Sequence, residues 1–237
     1  NCRPFECGAD IVTHSTTKYM DGTASQVGGC IVDSGNFDWM LHAEKFPGLC
    51  SPDESYHGLT YVKAFGKMGY TTKLVAQLMR DLGSIPAPMN SFILNLGLQT
   101  LHLRMAQHCK NAQKVAEFLN NDPHVAWVHY SGLKDDANYD RAQKYLPHGS
   151  CGVIAFGLKG DRNTAIRFMD SLGMINIVTH VADARTCVLH PASHTHRQLS
   201  DEQLRQAGIA PDLIRLSIGI EDVDDILDDI KQALNKL

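Results

Sequence analysis

The longest periodic stretch of the chain, from about Ser91 to Asn120, predicts one long helix with a single buried face. It follows Pro86 and Pro88, and its apolar residues recur every three or four positions: Leu94, Leu98, Leu101, Met105, Val115, Phe118 and Leu119. We expect this helix to be the hinge between a first part, residues 1–100, and a C-terminal α+β unit, residues 101–237.

Short β-rich segments alternate with helical ones in the rest of the chain, which favours an α/β or α+β architecture. Residues 34–58 are rich in Gly, Pro, Ser and aromatic residues and are interpreted as a long irregular surface segment. The predicted strands are Ala9–Thr13, Val27–Asp33, Val125–Tyr130, Val153–Leu158, Ile175–Val178, Cys187–Leu189 and Leu213–Ile218. Further helices are predicted over Tyr70–Leu82, Tyr139–Tyr145, Asn163–Leu172, Asp201–Gln206 and Val223–Leu237.

The composition argues against several kinds of partner. The chain has 22 Lys and Arg residues against 26 Asp and Glu, a formal net charge of −4, and without a basic run we expect no nucleic acid partner. No apolar stretch reaches the ~18 residues that span a bilayer, so we expect no membrane partner. The 7 cysteines are scattered and contain no CxxC pair, which favours reduced thiols and a cytoplasmic location.

The polar segment after the first predicted strand carries the most chemistry. His14, Ser15, Thr16 and Thr17 run directly into Lys18. Hydroxyl and backbone N–H donors of this kind can surround a phosphate, and an amine held beside a bound cofactor can form a Schiff base. Ser- and Thr-rich loops are also common on protein surfaces, so a solvated Lys18 is the alternative.

The run from His14 to Tyr19 resembles the Ser-x-Thr-Lys motif of the pyridoxal-phosphate (PLP) enzymes of cysteine and methionine metabolism. The resemblance extends over nearly the whole chain, through residues 92–105, 108–109, 129–133, 190–196 and 213–221. Within that family, residues 35–39, 46–48 and 56–59 are similar to those of O-acetylhomoserine sulfhydrylases. Cystathionine lyases and synthases are shorter here.

The resemblance implies an α/β fold of the type I PLP-dependent transferases, which are aspartate aminotransferase-like. Residues 1–100 would be the C-terminal part of the large PLP-binding domain, and residues 101–237 the smaller α+β C-terminal domain. By the same resemblance, Lys18 binds the cofactor covalently and moves protons, and Ser15 and Thr17 hold its phosphate. Arg215 matches the arginine that grips the substrate α-carboxylate. Thr179 and Asp183 fall near that carboxylate.

The implied reaction is a γ-replacement in which acetate leaves O-acetylhomoserine and sulfide or methanethiol takes its place. The alternatives are a methionine γ-lyase, a cystathionine γ-synthase or lyase, and an inactive structural remnant. The resemblance also implies a homodimer or homotetramer. It covers only the C-terminal half of a family chain, so we expect these 237 residues alone to be inactive.

Two clusters that could suggest metal binding are given other interpretations. His190, His194 and His196 lack the accompanying ligands of a zinc site, so no metal is expected there. The C-terminal acidic cluster lacks the glycine and ligand spacing of a calcium loop and is interpreted as a solvated helix face. Its members are Asp222, Asp224, Asp225, Asp228 and Asp229.

Overall fold

A computed structural model describes residues 1–237, which form two compact units. The smaller unit comprises Arg3–Ser15 and Gly28–Phe92. The larger unit comprises Asn1–Cys2, Thr16–Val27 and Ile93–Leu237. The predicted domain division between residues 100 and 101 stays a prediction.

The smaller unit contains an antiparallel strand pair, β1 (Ile11–Ser15) and β2 (Gly29–Asp33). Ser15, the last residue of β1, lies opposite Gly29, the first residue of β2. Both predicted strands are confirmed, each shifted by about two residues at its start. The pairing fixes the point at which the chain leaves β1 towards Lys18.

Short helices make up most of the rest of the smaller unit. They are α1 (Pro47–Cys50), α2 (Tyr61–Phe65), α3 (Gly69–Lys73) and α4 (Arg80–Leu82). A π-helical segment, Leu74–Met79, joins α3 to α4, so the helix predicted over residues 70–82 is confirmed as one continuous but irregular helix.

The interpretation of residues 34–58 as an irregular surface segment is wrong in part. Helical turns form at Met40–His42, Pro47–Cys50 and Glu54–Tyr56, and Trp39 is buried. Its ring packs edge-on against Phe46 at 5.0 Å between centroids and stacks on Tyr70 at 5.4 Å. Burial of these rings supplies a small hydrophobic core, which is why the segment is ordered.

The long helix α5 (Pro88–Asn121) is confirmed, but its predicted continuous buried face is not. Of the residues predicted for that face, Leu98 is 44% exposed, and Leu94, Leu101 and Met105 are only partly buried. Fully buried positions begin at His108, where the helix joins the main hydrophobic core through Ala112, Val115, Ala116 and Leu119. The periodicity identified the apolar face, but tertiary packing buries only its second half.

The larger unit is built on a five-stranded mixed sheet in the order β3-β4-β7-β6-β5. All neighbours are antiparallel except β5 and β6. The strands are β3 (Val125–His129), β4 (Val153–Leu158), β5 (Asn176–Ile177), β6 (Cys187–Leu189) and β7 (Leu213–Ser217). The remaining helices are α6 (Tyr139–Tyr145), α7 (Arg162–Asp170), α8 (Asp201–Gln206) and α9 (Val223–Leu234). Every strand and helix predicted here is confirmed, with small shifts at the ends.

The main core joins this sheet to α5, α7 and α9. Its fully buried members include Phe156 on β4, Phe168 on α7, and Ile226 and Ile230 on α9. The rings of Phe156 and Phe168 meet edge-on at 5.8 Å between centroids. This core fixes the central strand β7, which carries Arg215.

The prediction that Asp229 belongs to a solvated face is wrong. Asp229 is 8% exposed, and its carboxylate accepts backbone N–H groups of Gly173 at 2.7 Å, Met174 at 3.0 Å and Ile175 at 2.9 Å. It therefore holds the segment between α7 and β5 in place, because the two oxygens of a carboxylate can accept all three N–H groups. None of the helices has the length and apolar character needed to cross a membrane.

Candidate functional site

Lys18 lies in a tight turn that begins directly after β1. The Gly22 N–H donates to the Lys18 carbonyl at 2.8 Å, and the Asp21 N–H donates to the Thr16 carbonyl at 3.2 Å. Gly22 has a φ of 78°, a conformation that glycine adopts without steric cost. The lysine side chain is partly buried rather than fully solvated.

Buried polar side chains order the segment that follows the lysine. Asp21 is 1% exposed and accepts the Ser25 N–H and the Thr23 hydroxyl, each at 2.8 Å. Gln26 donates its amide to the Thr16 carbonyl at 2.8 Å. The turn is therefore held in one conformation, unlike a solvated polar loop.

Tyr19 connects the lysine turn to the sheet. Its hydroxyl accepts the Gly152 N–H at 2.9 Å, next to β4. The ring lies edge-on to His108, whose Nδ1 bonds the Ile218 carbonyl at 2.7 Å, directly after β7. Burial raises the pKa of Tyr19, so the hydroxyl stays protonated and acts here as a fixed polar contact.

Arg215 lies on the central strand β7, between Ala155 of β4 and Leu189 of β6 in register. Its Nη2 donates to the Thr179 carbonyl at 3.1 Å and to the His180 carbonyl at 2.9 Å. Its Nε is buried and has no hydrogen-bond partner within the chain. One edge of the guanidinium is thus anchored while a buried donor remains for another acceptor.

Thr179 is exposed and contributes its backbone carbonyl to the Arg215 contact. The structure therefore places Thr179 beside Arg215, but through the main chain. The Asp183 carboxylate, the weaker candidate, is occupied by Arg185, whose Nη2 and Nε donate at 2.8 and 3.1 Å.

His180 is a candidate that sequence reasoning missed. Its Nε2 is buried and has no hydrogen-bond partner within the chain. Burial, followed by the positive charges of Lys18 and Arg215, lowers the pKa of His180 against the opposing effect of Asp183 and Asp21. The imidazole is therefore held neutral among charged groups, and its only sequence signal was its place next to Thr179.

A cavity of about 320 Å³ opens beside His180. Cys187 lies in its wall, and burial raises the pKa of that thiol. The lining residues are Ala24, Asn176, Ile177, Val178, His180, Asp183, Arg185, Thr186 and Cys187. Its volume is in the range of small-molecule sites, but neither Lys18 nor Arg215 lines it.

A backbone hydrogen bond joins the two halves of the site. The Ala184 N–H donates to the Gly22 carbonyl at 2.8 Å, which ties the segment around His180 to the lysine turn. Of the predicted site residues, Thr17, Lys18, Thr179 and Arg215 belong to the larger unit, whereas Ser15 ends β1 in the smaller one. Thr17 is partly buried and Ser15 is exposed.

The histidine cluster has a structural explanation. His190 is fully buried, and its ring nitrogens bond the Ser193 hydroxyl at 2.9 Å and the Pro211 carbonyl at 2.8 Å. No group of three or more His, Cys, Asp or Glu side chains in the chain is arranged to hold a metal ion.

A family model described as "Cys/Met metabolism PLP-dependent enzyme" matches residues 1–235. The chain is 42% identical over 242 residues to a homocysteine/cysteine synthase of Saccharomyces cerevisiae, covering 98% of this chain and 54% of that protein. It is also 42% identical over 232 residues to O-acetyl-L-homoserine sulfhydrylase 1 of Thermus thermophilus, covering 98% of this chain and 55% of that protein. The chain therefore spans about half the length of the curated relatives it matches.

The fold resembles a solved structure from Campylobacter jejuni, described as an O-acetylhomoserine (thiol)-lyase with N'-pyridoxyl-lysine-5'-monophosphate in its chain. The TM-score is 0.92 at 35% sequence identity, and the similarity covers 99% of this chain and 56% of that one. The predicted α/β fold class is confirmed.

Proposed function

This chain belongs to the Cys/Met metabolism PLP-dependent enzyme family. From that premise we propose that it is part of an O-acetylhomoserine sulfhydrylase. The reaction replaces the acetate on Cγ of O-acetylhomoserine by sulfide to give homocysteine, or by methanethiol to give methionine. The names of the relatives from S. cerevisiae and T. thermophilus support this choice.

The cofactor of the family is pyridoxal phosphate, which supplies an electron sink when bound. The residues present fit it. Lys18 offers an amine in an ordered turn that hydroxyl residues precede, and His180 and Arg215 each keep a buried nitrogen without a partner. Lys18 would hold the cofactor and move protons at the substrate carbons, while Ser15 and Thr17 would hold the phosphate.

The arrangement of Arg215 is the single observation that carries the substrate proposal. Its Nη2 is fixed on two backbone carbonyls, so the guanidinium cannot rotate freely, and its Nε is buried without a partner. A buried donor without an acceptor is costly, and a substrate carboxylate would satisfy it with a charge-assisted bond. Thr179 would act by anchoring this side chain rather than by touching the substrate.

The decisive experiment has two arms, both on the complete purified protein rather than on these 237 residues alone. The first incubates it with pyridoxal phosphate, reduces with borohydride and maps the labelled peptide, with Lys18→Ala as the test and Lys110→Ala, an exposed lysine of α5, as the control. One pyridoxyl group on Lys18, absent in Lys18→Ala only, supports the proposal. No label and no visible cofactor band would favour the inactive remnant.

The second arm separates the related reactions. Acetate release from O-acetylhomoserine that depends on sulfide supports a sulfhydrylase. Release of an α-keto acid from methionine, without added thiol, would instead indicate a methionine γ-lyase.

We also include a homo-oligomer in the proposal. Apolar side chains on the irregular helix of the smaller unit are exposed, such as Val75 by 60% and Leu82 by 75%, and such side chains commonly become buried at interfaces. A fully active monomer on size-exclusion chromatography with light scattering would contradict this part.

A further inference from the structure

Arg104 of α5 contacts the backbone of the lysine turn, although no sequence motif points to it. Its Nη1 donates to the Tyr19 carbonyl at 2.8 Å, and its Nη2 lies 3.5 Å from the Met20 carbonyl. On its own helix, Nη2 donates to the Gly97 carbonyl at 2.7 Å and Nε to the Thr100 hydroxyl at 3.1 Å. One guanidinium thus fastens the backbone directly after Lys18 to a long helix.

Two glycines make this approach possible. A Cβ on Gly22 would lie 2.2 Å from Nη1 of Arg104, and a Cβ on Gly97 would lie 2.3 Å from the Met20 carbonyl oxygen. A side chain at Gly97 would push the helix and the turn apart, and one at Gly22 would displace the Arg104 guanidinium. The sequence therefore keeps the helix surface in direct contact with the turn.

The surroundings of Arg104 explain why an arginine suits this position better than a lysine. Burial lowers the pKa of its guanidinium, and the nearby Asp21 carboxylate opposes that effect. An arginine side chain nevertheless stays charged in proteins. Its contacts are to uncharged oxygens in several directions, which suits a planar fork of five N–H donors. A lysine ammonium is a single point donor and cannot reach the same set of acceptors.

We infer that Arg104 is a positioning residue that sets where the Lys18 amine stands, by fixing the carbonyls of Tyr19 and Met20 to helix α5. The inference rests on the proposed function, since it assigns Arg104 a role only through the lysine that would hold the cofactor. Lys18 is one residue from the nearest bonded carbonyl, so a loosened turn shifts the amine, and a displacement of ~1 Å can cost about 100-fold in rate.

The test measures pyridoxal phosphate attachment rather than turnover alone. Arg104→Gln and Arg104→Lys are compared with Arg141→Gln, an exposed arginine of α6. The readouts are the rate at which Lys18 becomes labelled in borohydride-quenched samples and the pH midpoint of the cofactor's visible band. We expect labelling at least ~10-fold slower in both Arg104 variants, with a shifted midpoint, and wild-type behaviour in Arg141→Gln.

Folded Arg104 variants that match the wild type in both readouts would overturn the inference. If Arg104→Gln and Arg104→Lys do not fold, Thr100→Val decides, because it removes the Nε partner and leaves the charge in place. It should slow labelling with little loss of thermal stability, and wild-type labelling would again overturn the inference. A wild-type protein that is not labelled at Lys18 would overturn the proposed function itself.

Discussion

Thr186 and Glu221 bind the start of strand β6 to the segment after β7. The Thr186 hydroxyl donates to one carboxylate oxygen of Glu221 at 2.8 Å, and the Thr186 N–H donates to the other at 2.5 Å. The same hydroxyl accepts the Gly219 N–H at 2.8 Å. This pair therefore holds the segment that follows the C-terminal end of β7, the strand that carries Arg215.

Thr186→Val should destabilise the fold because it leaves the buried Gly219 N–H and the Oε2 oxygen of Glu221 without their hydroxyl partner. We expect a loss of about 1–3 kcal/mol in the free energy of unfolding, measured by urea denaturation. Thr195→Val serves as the control, because that hydroxyl is exposed. Equal effects of the two variants would mean that the Thr186 bonds contribute nothing specific.

Asp229→Asn should also be destabilising, since an amide cannot accept all three backbone N–H groups as strongly as a carboxylate does. We expect a loss of about 1–3 kcal/mol in the free energy of unfolding at pH 7. Asp228→Asn, an exposed neighbour on the same helix, should be nearly neutral.

The Asp229 effect should depend on pH in a definite direction. Burial raises the pKa of Asp229, but the N–H bonds from Gly173, Ile175 and Met174 outweigh it, so the pKa is lowered. A lowered pKa in the folded state stabilises the protein above the unfolded value of about 3.9 and loses that contribution as the pH falls through the folded value. Urea denaturation at pH 7, 5 and 3.5 should therefore show the gap between wild type and Asp229→Asn narrowing only at the lowest pH.

Arg215→Lys should weaken recognition of the amino acid substrate while leaving cofactor attachment intact. An ammonium cannot keep the two carbonyl contacts and also donate to a carboxylate as the guanidinium does. We expect kcat/KM for O-acetylhomoserine to fall by at least about 10-fold, the cost of one charge-assisted hydrogen bond.

Borohydride labelling of Lys18 in the same variant separates substrate binding from folding. Arg205→Lys, an exposed arginine of α8, is the matched control for the kinetics. An unchanged kcat/KM in Arg215→Lys would remove Arg215 from the proposed site.

His180→Asn should change how kcat/KM depends on pH in acidic solution. Burial and the charges of Lys18 and Arg215 hold the pKa of His180 below its usual 6.5, so the wild-type ring becomes charged only in more acidic solution. The protonated imidazole would then be repelled by Lys18 and Arg215 and attracted by Asp183 and Asp21. We expect log(kcat/KM) for O-acetylhomoserine to fall in acidic solution in the wild type and to fall less in His180→Asn. Superimposable profiles would contradict a place for His180 in the site.

The histidine His190 offers a control for this pH experiment. It is fully buried and bonded at both ring nitrogens, so His190→Asn should change stability without changing the acid limb. A similar change of the acid limb in both variants would point to a general effect on folding.

Hydrophobic periodicity in the sequence predicted the strands and helices of the larger unit, and resemblance to a known family pointed to the fold class and to the candidate residues Lys18 and Arg215. The strands and helices follow from local information, because hydrophobic periodicity is present along the chain and does not depend on distant contacts. Assignment of Ser15, Thr17, Lys18, Thr179 and Arg215 to the site stays a prediction, since it rests on motif order.

Only the tertiary structure decided which polar groups have hydrogen-bond partners. Asp229 and Asp228 are indistinguishable in sequence, yet only Asp229 meets three backbone donors some 55 residues away in the chain. His180 and Arg104 acquire their roles in the same manner, from the carbonyls and charges that folding brings to them. Hydrogen bonding and desolvation depend on spatial neighbours, which residue order does not specify.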